Sequence, residues 1–72
     1  MEKAELYIQI IELKERSNDV VACDRGLFEE RNVPKEDDDL NRMKQWLRGV
    51  KGSILRREKI DEIQNKRMSE FL

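Results

Sequence analysis

The chain has 72 residues with 15 Lys and Arg, 16 Asp and Glu and no histidine, giving a formal net charge of −1 at 43% charged and 38% hydrophobic residues. That balance is too polar for a membrane protein and fits long solvated helices or coiled coils. A single cysteine without histidine excludes an internal disulfide and a zinc site, so a chain this short must find its stability elsewhere than in a cross-link.

With one proline and three glycines, helices are easier to build than a many-stranded sheet, and the expected class is all-α. Glu2, Lys3 and Glu5 interrupt the start, so no leader pattern opens the chain, and nowhere do 18 apolar residues stand together. Cys23, read as a small half-buried apolar residue, fits a reducing compartment. These features predict a soluble, cytoplasmic protein.

Leu6, Ile10 and Leu13 recur at spacings of four and three, Tyr7 and Ile11 widen the same face, and Ile8 lies on the far side. Ser17, Asn18 and Asp19 are poor helix-interior residues. Val20, Val21, Leu27 and Phe28 nevertheless keep the phase of the earlier stripe, which predicts one long helix over about residues 2–30. Asn32, Val33 and Pro34 mark a turn at residues 31–34, since the residue before proline is pushed toward extended geometry. A second helix is expected over about residues 35–70, with Glu36, Asp37, Asp38 and Asp39 at its positive end.

Within this second helix, Leu40, Met43, Trp46, Leu47, Val50 and Ile54 fall in an arc of about 120° at 100° per residue. Arg42, Lys44, Arg48 and Lys51 line the other side. The phase then changes. Arg57 enters the apolar arc, and Ile60, Ile63 and Phe71 face elsewhere, which is compatible with a kink or break at Gly49 to Ser53 or with a continuous helix whose ends serve different partners.

A short link between long helices predicts an antiparallel hairpin, forming a single domain over residues 1–72. Two helices share only one seam, so the hairpin is expected to dimerise into a helical bundle as a homodimer. Charge supports folding one half back on the other or pairing two chains head to tail. Residues 1–39 carry twelve acidic and six basic side chains, and residues 40–72 carry four and nine, a balance of −6 against +5.

Chemistry has little to work with. Asp37, Asp39 and Asn41 match the first positions of a calcium loop, but Arg42 stands where the loop needs glycine and Arg48 where it needs glutamate. Ala22 and Gly26 have helix-turn-helix spacing, but the reading helix would then contain Pro34 and an acidic run that repels phosphate. Adjacent carboxylates such as Glu29 with Glu30 and Asp61 with Glu62 diverge on a helix. No enzyme, metal or cofactor is expected.

The sequence instead predicts a non-catalytic interaction module, a regulator, inhibitor or adaptor that presents an amphipathic helix to another protein. Arg42, Trp46, Arg48, Lys51, Arg56 and Arg57 are the candidate partner-binding residues. Met43 and Met68 would make such a surface adaptable. A core role competes for Trp46. Two alternatives stand beside this reading. One is a nucleic-acid-binding accessory protein using the basic face over residues 42–59. The other is a structural coiled-coil or oligomerisation module.

Overall fold

Glu2–Lys14 forms the first α-helix, α1, and Leu40–Phe71 the second, α2, in a computed structural model that describes the backbone of residues 2–71 and the side chains of residues 2–66. Between them lie two 3-10 segments, Ser17–Asp19 and Ala22–Phe28, and a turn-rich stretch reaching Asp39. Among the described residues there is no strand, so the chain is all-α. The side chains of Met68 and Phe71 lie outside the described residues.

The first helix stops at Lys14, not near residue 30 as the phase predicted. Arg16 N–H donates to the Leu13 carbonyl at 2.9 Å and Asp19 N–H to the Arg16 carbonyl at 3.0 Å, tightening the chain into a 3-10 turn. Arg16 Nε donates to Asp19 Oδ2 at 2.8 Å across the same turn. Ser17, Asn18 and Asp19 are residues that compete with helical hydrogen bonding, and here they win. Val20 is still fully buried, because the chain doubles back and lays the following residues over the same core.

The antiparallel hairpin is likewise replaced. Lys44 Nζ meets Glu2 Oε1 at 3.0 Å and Lys51 Nζ donates to Gln9 Oε1 at 2.9 Å. Seven residues forward on one helix match seven forward on the other, so α1 and α2 run in the same direction. The connection between them therefore has to travel back. Val21 lies at Ser53, Leu27 at Trp46 and Arg31 at Arg42, so the return segment is antiparallel to α2.

Pro34 is buried and ends the return, but the next helix starts at Leu40 instead of residue 35. Lys35 N–H donates to Asp38 Oδ2 at 2.6 Å, Asp38 N–H returns to the Lys35 carbonyl, and Met43 N–H closes on the Asp39 carbonyl. The acidic run thus forms a turn ahead of α2, where its charge still faces the positive end of the helix.

From Leu40 onward α2 is unbroken for 32 residues, with no interruption at Gly49 to Ser53. At 1.5 Å per residue it is about 48 Å long, close to the 52 Å long axis of the molecule. It is the spine on which both other parts lie. Met43, Trp46, Leu47, Val50 and Ile54 are buried against Ile10, Val20 and Val33, with Leu6, Tyr7, Leu13, Leu27 and Phe28 packed around them. Past Ile54, among the described residues, only Arg56 and Arg57 reach back to the return segment. Every described side chain from Leu55 to Lys66 is exposed except the half-buried Arg57.

Candidate functional site

Six residues of α2 carry the predicted partner surface, and the fold divides them by what they touch. Trp46 is interior, with 6% of its surface exposed. Its Nε1–H donates to the Leu27 carbonyl at 2.8 Å, and the ring meets Phe28 edge-on at 5.6 Å and 76°. A tryptophan whose only polar atom is already satisfied inside the fold has little left to offer a partner. The assignment of Trp46 to a binding surface is corrected accordingly.

Three of the five cations hold the return segment and a fourth holds α1. Arg42 Nη2 donates to the Arg31 carbonyl at 3.1 Å, and Nη1 lies 3.9 Å from Asp38. Arg56 Nη2 donates to Asp24 Oδ2 at 2.8 Å. Arg57 reaches the Val20 carbonyl at 3.3 Å and lies 3.9 Å from Asp61. Lys51 turns the other way, to Gln9 on α1. The basic face therefore answers the chain's own carbonyls and carboxylates. Each exposed pair is worth only about 0 to 1 kcal/mol, so together they orient the connection more than they stabilise it.

Arg48 is different. It is exposed, and it has no hydrogen bond or ion pair in the fold. At 100° per residue it shares an arc of about 80° with Gly52, Leu55, Lys59 and Ile63, on the side of α2 opposite the core. Lys59 is also exposed and unpaired. Leu55 is 64% exposed and Ile63 55%, and Ile60, about 60° beyond the arc, is 46% exposed. Of this stripe only Arg48 was among the predicted partner-binding residues, and Lys59 belonged to the basic face of the nucleic-acid alternative. The signal of the stripe was present in the loss of phase after Ile54, and in the spacing of four, three, four and four from Arg48 to Ile63.

Other features of the surface lack convergent chemistry. An open cleft of about 880 Å³ between the return segment and the start of α2 is lined by Glu29, Glu30, Arg31, Lys35, Asp38 and Arg42, among others. Arg31 donates to Glu29 there, and Arg42 approaches Asp38, so its opposite charges answer one another. Cys23 is exposed, with Sγ 3.9 Å from Asp24 Oδ1, where the sequence suggested a half-buried position. Its neighbours Ala22 and Asp24 belong to the 3-10 segment, which turns the thiol outward. Among the described residues no group of three or more Cys, Asp or Glu could hold a metal ion, and no helix is long and apolar enough to cross a membrane.

The chain matches no protein-family model, and no curated protein or solved structure shows significant similarity to it.

Proposed function

We propose that this protein is a non-catalytic interaction module whose working surface is the outer side of α2 from Arg48 to Ile63. One observation carries the reading. Leu55, Ile60 and Ile63 are large apolar side chains left 46% to 64% exposed on a length of helix from which only Arg56 and Arg57 reach back to the return segment. Apolar side chains on an exposed helix face are the anchors by which amphipathic helices dock on other proteins. Pairing of this face with a second chain would also complete the bundle that the short core leaves unfinished.

A nucleic-acid role for the basic face is less well supported. Arg42, Lys51, Arg56 and Arg57 are engaged within the chain, which leaves Arg48 and Lys59 to follow a phosphate backbone. The experiment compares the wild-type protein with the L55S/I60S/I63S variant as baits in affinity capture, after circular dichroism and urea unfolding show the same folded core. The variant is expected to lose protein binding. Equal capture by both baits, or retention only of DNA or RNA with steep salt dependence, would remove the proposal.

A further inference from the structure

On α1, Ala4, Glu5, Ile8, Ile11 and Glu12 fall in an arc of about 120° centred opposite the side that holds Leu6, Ile10 and Leu13, and Glu15 follows directly after the helix ends. Ile8 and Ile11 are each more than half exposed. Glu5, Glu12 and Glu15 are exposed and have no partner in the fold. No basic residue of α1 lies in that arc. The outer face of α1 is thus an apolar stripe edged with unpaired acid. The outer face of α2 is its counterpart, an apolar stripe with the unpaired cations Arg48 and Lys59 and with Glu62 only at its border.

The two faces match in length as well as in sign. Ala4 to Glu12 and Leu55 to Ile63 are each nine residues of helix, about 14 Å. They cannot meet within one chain, because each points away from the core that α1 and α2 share. The end of α2 also needs a neighbour. Isolated helices of about 12 to 15 residues are marginal in water even when alanine-rich, and every described side chain of α2 past Arg57 is exposed.

We infer that the outer face of α2 docks on the acidic outer face of α1 of a second copy of this chain. The inference rests on the proposal that the outer side of α2 is a protein-docking surface, and it names the occupant. The contact joins two different surfaces, so each copy offers one of each kind. Ile8 and Ile11 of one copy cover Leu55 and Ile63 of the other, while glutamates flank the cations. Such a contact weakens as salt screens the charges.

Charge exchange tests it on the full chain. E5K/E12K/E15K makes both faces basic, and R48E/K59E removes the cations from α2 and leaves both faces acidic. All of these side chains are exposed and unpaired, and circular dichroism is expected to show both variants folded. In analytical ultracentrifugation the wild type is expected above its monomer mass of 8.7 kDa. Either variant alone should associate at least about tenfold more weakly, because like charges are brought together. A one-to-one mixture should recover association, since each face then meets its opposite.

A wild type that stays monomeric at every concentration overturns the inference. If the L55S/I60S/I63S change still abolishes capture of some other protein, the docking surface survives and only its occupant was wrong. Association that persists in both variants, or a mixture that recovers nothing, also overturns the proposed contact. Binding of the wild type to anionic vesicles or RNA in place of self-association does the same.

Discussion

Ser53 shows how much one small side chain does here. It is fully buried on α2, and its hydroxyl accepts the Val21 N–H at 3.0 Å where the chain has left its first 3-10 turn and lacks a helical partner. Ser53→Ala removes that acceptor and leaves a part-buried N–H unpaired, at an expected cost of about 1 to 3 kcal/mol in urea unfolding. Trp46 does the converse work about two turns nearer the start of the chain, supplying a donor to the Leu27 carbonyl. Trp46→Phe keeps an aromatic ring beside Phe28 but drops that hydrogen bond. A loss of about 1 to 2 kcal/mol is expected, followed by circular dichroism because the indole is gone. No described buried side-chain nitrogen or oxygen lacks a partner, so these two bonds belong to a fully satisfied interior.

At the scale of elements, α2 was the most legible part of the chain. Of the stripe read from its sequence, Met43, Trp46, Leu47, Val50 and Ile54 are buried and Leu40 is partly so. The glycines misled. Gly49 and Gly52 suggested a break, yet the helix passes through both, and a side chain would fit at either position. A Cβ at Gly52 meets nothing within 4 Å, and one at Gly49 meets Leu27 Cδ1 at an ordinary 3.8 Å. Gly49→Ala and Gly52→Ala should each stabilise the fold by about 0.5 to 1 kcal/mol in urea unfolding, whereas a functional kink would make them costly. The first helix was misread for a different reason. Ser17, Asn18 and Asp19 signalled its end correctly, but the in-phase Val20, Val21, Leu27 and Phe28 outweighed them. Phase records which residues are apolar together, not which way the chain is running when it presents them. The destinations of Arg42 and Arg57 were hidden too, because their acceptors include the backbone carbonyls of Arg31 and Val20, which carry no sequence signature.

Taken whole, the molecule is a 52 Å rod clothed at one end only, where α1 and the return segment cover the first half of the spine. The excess of acid before residue 40 and of base after it belongs to this scale. Part of it is spent inside the chain in pairs such as Glu2 with Lys44 and Asp24 with Arg56, and part of the unpaired remainder stands on the outer faces of α1 and α2. One consequence of the parallel arrangement concerns synthesis. Ile10, Val20 and Val33 leave the ribosome before the helix that buries them, and α2 contributes the other five apolar members of the buried core, ending at Ile54. The first half of the protein therefore has no interior to fold around until most of the second half has been made, and the nascent chain stays open to proteases and chaperones for most of its own translation.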